Sequence, residues 1–178
     1  LKRLLFALCV IVLSAQLAAA EEVNPPASFG MQLGIDYNVL TGSFTLWNLR
    51  YGLGLDLLIH LGAGFYAGAE LGAAFGFHKV NLTDTGFDRI DVEFPLHLTV
   101  LWFAGGFTIQ AFGGAAYVGG AALAGGVVYM SDFSFNLCPD LGLKLGWGTI
   151  NNLFLKGGYV FGDNGFVYLG LGARIGLF

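Results

Sequence analysis

Charge is scarce in this chain of 178 residues: Asp, Glu, Lys and Arg make up 11%, against 56% hydrophobic residues. A soluble domain usually carries about 25% charged residues, so an ordinary enzyme domain bathed in water is a poor fit. Cysteine is almost missing as well. Of Cys9 and Cys138, the first lies in an apolar leader, which leaves no intramolecular disulfide and excludes a disulfide-stapled scaffold. Nothing has metal-ligand spacing, and no cofactor motif stands in the required context. The formal charge of −4 offers no basic footprint for nucleic acid. Beyond the leader there is no helical periodicity either, which removes helical bundles.

What is present begins with that leader. Lys2 and Arg3 precede the apolar run "LLFALCVIVLSAQL", and Ala18–Ala20 supply small residues where a signal peptidase cuts. Residues 1–20 are therefore expected to be a signal peptide, and 21–178 the mature domain. The run is too short to span a bilayer comfortably as an anchor. A lipoprotein reading of Cys9 would need a small residue before it, where Leu8 stands. Removing Lys2 and Arg3 takes the formal charge from −4 to −6.

The rest alternates. In "RIDVEFPLHLTV", Ile90, Val92, Phe94, Leu96, Leu98 and Val100 occupy one parity, and Arg89, Asp91, Glu93, Pro95, His97 and Thr99 the other. Successive strand side chains point to opposite faces, so the segment has an oily face and an ionic one. Eight such stretches fall at about 28–40, 44–58, 63–79, 88–101, 106–118, 131–147, 151–162 and 165–178. Across all eight, the apolar face has no charged residue. The other gathers Asp36, Arg50, Asp56, Glu70, Arg89, Asp91, Glu93, Asp140, Lys144, Lys156 and Arg174, interspersed with Gly. A soluble sandwich would turn its polar face to water and have little use for Gly there. Ions of both signs sharing a face with Gly fit a confined interior, with the oily face in lipid.

Strands cross a membrane only as a closed barrel, because an open edge in hydrocarbon leaves backbone groups unpaired. The expected fold is thus all-β: a transmembrane antiparallel up-and-down barrel of about eight strands. Trp47, Trp102 and Trp147 fall near strand ends, where interfacial aromatics belong. The even gaps "IHLGA", "LWFAGG" and "WGTINN" read as short periplasmic turns, and Pro95 marks a bulge or bend. A membrane helix is the main rival, since Phe94–Ser131 contains no Asp, Glu, Lys or Arg. Gly pairs at 105–106, 113–114, 119–120 and 125–126 argue against it.

Segments "VEFPLHL", "LFLKGGYVFG" and "GLGARIGLF" resemble strand patterns of the small eight-stranded outer-membrane β-barrel proteins, within the broad porin-like families. The resemblance implies a cell outer-membrane location, contact with outer-membrane lipid, and delivery by the barrel assembly machinery. The terminal Phe178 resembles the signal that machinery reads, although it stands on the opposite parity from Val167, Leu169, Leu171, Ala173, Ile175 and Leu177.

A lumen this narrow is filled by its own side chains. Asp36, Arg50, Asp56, Glu70, Asp91, Glu93, Asp140, Lys144, Lys156 and Arg174 are expected to line it, mostly as ion pairs. The function expected is structural, or the narrow passage of a small solute. Some barrels of this class modify lipid acyl chains with His, Ser and an acid. Here His60, His78 and His97 have only Thr99 close by, on the inward parity, so no enzyme is expected. "GAGFYA" is a turn entering a strand, and the sequon at Asn81 carries no meaning in a bacterial envelope. The gap "GGAALAGGVVYM" admits an alternative, a mouth of Ala121, Ala122, Leu123, Val127 and Val128 for hydrophobic molecules, resembling the outer membrane protein W family. A further alternative reverses the faces, giving a soluble secreted barrel that binds apolar ligands.

Overall fold

The computed structural model describes residues 25–38, 49–78, 89–122, 134–148, 151–162 and 166–177. They form eight antiparallel strands: β1 (Ala27–Asn38), β2 (Leu49–Gly62), β3 (Phe65–His78), β4 (Arg89–Ala104), β5 (Phe107–Ala122), β6 (Ser134–Gly148), β7 (Asn152–Val160) and β8 (Phe166–Gly176). Each strand pairs with its sequence neighbours, and β8 pairs with β1, so the sheet closes. No helix of the described residues is long and apolar enough to cross a membrane. The helical rival for Phe94–Ser131 is overturned by β4 and β5, which pair along their whole lengths from Arg89↔Ala122 to Ala104↔Phe107.

The strands run further at the lower end than the alternation suggests. β2 continues to Gly62 and β4 to Ala104, while β5 runs on to Ala122 at the upper end. Two turns need only two residues, Ala63-Gly64 and Gly105-Gly106, all four at positive φ. That geometry matches the twist of the flanking strands, and Gly adopts it without a steric cost. The gaps "IHLGA" and "LWFAGG" are therefore mostly strand. Pro95 causes no register shift: Leu71↔Leu96 and Ala74↔Glu93 keep one alignment on either side of it. The bulge lies between His60 and Gly62 instead.

The registers fix the barrel's geometry. Following partners from Ser28 gives Leu58, Gly68, Thr99, Phe112, Gly142, Gly158, Tyr168 and then Asn38. One circuit thus returns to β1 ten residues higher (28 to 38). Eight strands with this stagger tilt by about 40° and enclose a wall of roughly 8 Å radius, using a strand spacing near 4.8 Å.

The outer surface is apolar. Leu53, Leu57, Leu71, Leu96, Leu98, Val100, Leu141, Leu143, Leu169 and Leu171 are all exposed on it. Two aromatic belts bound this band. In the lower belt Phe65 stacks on Trp102 and Phe107 meets Trp147 edge-on, at 6.1 and 5.9 Å. In the upper, Tyr51 lies 5.9 Å from Phe75, Tyr117 stacks on Phe135 at 5.0 Å, and Tyr159 meets Phe161 at 4.5 Å. Phe65 to Phe75 and Phe107 to Tyr117 are each ten residues of strand. At that tilt this is about 25 Å of height, the thickness of the apolar band of a transmembrane barrel. Trp47 lies outside the described residues.

Candidate functional site: the lumen

The inward parity of every strand meets in the lumen. Asp36, Arg50, Asp56, Glu70, Glu93, Asp140, Lys144 and Arg174 are buried there, and Asp91 and Lys156 partly so. Ions removed from water need partners and full hydrogen bonding, and the topology supplies both from strands far apart in sequence. Arg174 on β8 donates through Nε to both oxygens of Asp56 on β2, at 3.0 and 2.9 Å, and through Nη2 to Asp56 Oδ1 at 2.6 Å and Ser28 Oγ at 2.9 Å. Gln32 joins this pair to the next. Its Nε2 donates to Asp56 at 2.6 Å and to Glu70 at 3.2 Å, while its Oε1 accepts from Lys144 Nζ at 2.6 Å. Lys144 also donates to Glu70 at 2.5 Å. One connected network therefore links β1, β2, β3, β6 and β8 across the lumen.

Separate pairs stand around and above it. Lys156 donates to Asp36 at 3.0 Å, Arg50 pairs with Glu93, and His97 Nε2 lies 2.7 Å from Asp140, which also accepts from the Tyr168 hydroxyl at 2.9 Å. Aromatic faces add to the cations' surroundings: Arg50 sits over Phe166, Lys144 between Phe112 and Phe154, and Lys156 over Tyr168. Small residues make the space. A Cβ at Gly30 would meet the Arg174 guanidinium at 2.6 Å, and one at Gly76 would meet Arg50 Cγ at 2.6 Å.

Two apolar clusters flank this network. Leu58, Tyr66 and Leu101, with Phe103, pack at the lower end. Phe112, Val160, Phe166 and Tyr168, with Val118 and Cys138, pack toward the upper end. The inward parity is thus not uniformly ionic. A polar cavity of about 40 Å³ lies between Gln32, Asp36, Arg50, Glu70, Glu93 and Lys144, room for a few waters. Of the expected hydrophobic mouth, Ala121 is buried. Leu123, Val127 and Val128 lie outside the described residues, as does the side chain of Ala122.

Residues with no individual weight in the alternation prove central to the lumen. Ser28, Gln32 and Tyr168 bridge the ions, and Phe112, Phe154 and Phe166 wall them in. Their one sequence signal is inward parity, which they share with the charges.

No protein-family model and no curated protein sequence matches the chain. Solved structures do. The Yersinia pestis outer membrane protein Ail in a phospholipid nanodisc superposes with a TM-score of 0.52 at 13% identity, over 83% of this chain and 99% of that one. A major outer membrane protein of Thermus thermophilus gives 0.52 at 14%, over 86% and 100%. The fold is that of the small eight-stranded outer-membrane barrels. The outer membrane enzyme PagL gives 0.51 at 12% identity, over 82% of this chain and 98% of that one. The same barrel architecture therefore serves enzymes and other proteins alike, and activity has to be read from the lumen and surface of each chain.

Proposed function

We propose that the chain is a closed, structural barrel of the bacterial outer membrane, with no catalytic role. In this reading residues 1–20 are a signal peptide cleaved after Ala20, the barrel assembly machinery inserts the remainder, and lipid contacts the apolar band. The observation that carries it is the network Arg174–Asp56–Gln32–Glu70–Lys144, which spans the lumen with side chains bonded to one another. A hydrated ion cannot pass without breaking several buried, charge-assisted bonds at once. The apolar lower cluster adds a second closure.

The small polar cavity favours a second reading, the slow passage of a very small polar solute. A passage for hydrophobic molecules has less support, because the apolar groups at the upper end pack against each other and an ionic layer lies beneath them. The reversed, soluble barrel has the oily interior this lumen lacks. Planar-bilayer recording of the refolded protein in potassium chloride tests the main reading: no steady conductance above the lipid baseline is expected. Large, stable openings would overturn it.

A further inference from the structure

The inward glycines of the lumen are of two kinds. Some lie beneath the barrel's own large side chains: a Cβ at Gly30 would collide with Arg174, one at Gly142 with Phe112, and one at Gly172 with Phe154. Gly34, Gly52 and Gly54 differ. A Cβ on any of them would meet nothing closer than 3.4 Å, so no described side chain fills the space they leave. Gly34 pairs with Gly52 across β1 and β2, and Gln32 with Gly54 beside them. All three glycines line the polar cavity, as one patch of bare wall.

The same cavity is lined by three cations, Arg50, Lys144 and Lys156, and by three carboxylates, Asp36, Glu70 and Glu93. Their pairing leaves hydrogen-bonding capacity unspent. Glu70 Oε2 accepts from Gln32 and Lys144, while Oε1 takes no bond from a described residue. Oε1 lies on the Gly54 side, 3.8 Å from where a Cβ would stand. Of three ammonium hydrogens each, Lys144 spends two on described residues and Lys156 one. A lone cation or anion would add an uncompensated charge to a lining that carries none in sum, which is costly in a buried lumen. An apolar molecule would leave the unspent groups without partners. A molecule carrying both charges suits them.

We propose that this cavity is a binding site for a small zwitterion, with the smallest α-amino acids as the class that fits. The ligand's carboxylate accepts from the lysines, its ammonium donates to Glu70 Oε1, and the bare glycine wall makes room for the carbon between. The volume of about 40 Å³ holds about three waters at roughly 10–15 Å³ each. Bonded atoms pack closer than waters, so a molecule of about five heavy atoms is the right size. Entry is beside Lys156, whose side chain is 20% exposed, whereas the other five charged lining side chains are 9% exposed or less. The proposal goes beyond the structural reading and keeps its closed lumen, because binding from the upper side needs no path past the lower cluster.

The test titrates glycine into the isotope-labelled barrel, refolded in phospholipid nanodiscs, and follows it by nuclear magnetic resonance. The backbone amides of Gly34, Gly52 and Gly54 should shift saturably. Acetate and methylammonium, each with one of the two charges, should need concentrations at least about tenfold higher. Gly52→Val sets three carbons in the cavity and should weaken glycine binding by about tenfold or more. Gly52→Ala should weaken it by about threefold, and decides the matter if the valine variant fails to fold by heat-modifiable gel mobility. Shifts that do not saturate, acetate or methylammonium binding as well as glycine, or folded Gly52 variants that bind like the parent overturn the site. Salt conductance in planar bilayers would instead overturn the closed-barrel reading, so the two failures are distinct.

Discussion

Leu98→Arg gives the strictest test of which face of the wall meets lipid. Leu98 is 74% exposed on the outer surface of β4. Four residues separate it from Trp102 in the lower belt, and six from Val92, which pairs with Phe75 in the upper belt. It therefore sits near the middle of the apolar band. An arginine at the bilayer midplane costs about 2–4 kcal/mol, and near the interface about 0–1 kcal/mol. Leu61 is the matched control: 65% exposed, on the same outer surface, but at the lower rim beside the Ala63-Gly64 turn. Leu98→Arg should thus weaken folding by roughly 30- to 900-fold in equilibrium constant, and Leu61→Arg by less than about sixfold. Urea titration of refolding into phospholipid vesicles, followed by heat-modifiable gel mobility, measures both. A Leu98→Arg variant no worse than Leu61→Arg would refute the membrane placement, because two equally exposed leucines in water should respond alike.

Two further outcomes follow from the lumen and the wall. Asp56→Asn removes the carboxylate that the buried Arg174 guanidinium holds through three hydrogen bonds and should cost about 3–5 kcal/mol, whereas adding Arg174→Met should recover much of the loss; urea midpoints of the single and double variants check the order. Gly114→Ala should impair assembly, since its Cβ would collide with the backbone oxygen of Leu96, while Gly52→Ala should be tolerated, its nearest neighbour being Ala74 Cβ at 3.8 Å. Folded yield of the two variants on the same gel decides, and equal yields would contradict the close approach of β4 and β5.

The wall was legible because one rule, alternation, applies to every residue along each strand. Leu53, Leu55 and Leu57 go out and Gly54 and Asp56 go in, whatever their partners are. The lumen was only half legible. Parity sends Asp56 and Arg174 inward, yet their pairing depends on closure of β8 onto β1, which no local pattern shows. Leu58 was hidden for a different reason: it stands in the run Leu57-Leu58-Ile59, where all three residues are apolar and the two faces cannot be told apart. Alternation alone ends the strand there. It continues to Gly62 because the inner face changes from ionic to apolar near the lower end. Phe112 and Tyr168 share the inward parity, but only the register shows how such large rings fit inside: they stand opposite Gly142 and Gly158, whose missing side chains leave room.

The ten-residue climb of the circuit from Ser28 to Asn38 carries a parity constraint. A closed wall has one inside, so a walk around it must return to the starting strand an even number of residues away; an odd return would require β1 to face both ways. Inserting one residue in the middle of any strand therefore cannot be absorbed by sliding its neighbours, since the slip would travel around the barrel and meet itself inverted. Such an insertion has to be confined as a local bulge or expelled toward a rim. The shift between His60 and Gly62 is the one the described pairs contain, and it sits at the lower rim, below the pair Leu58↔Gly68 through which the circuit from Ser28 passes. Length variation in this barrel is thus free in the connections and tolerated at the rims. In the middle of the wall it is restricted to steps of two.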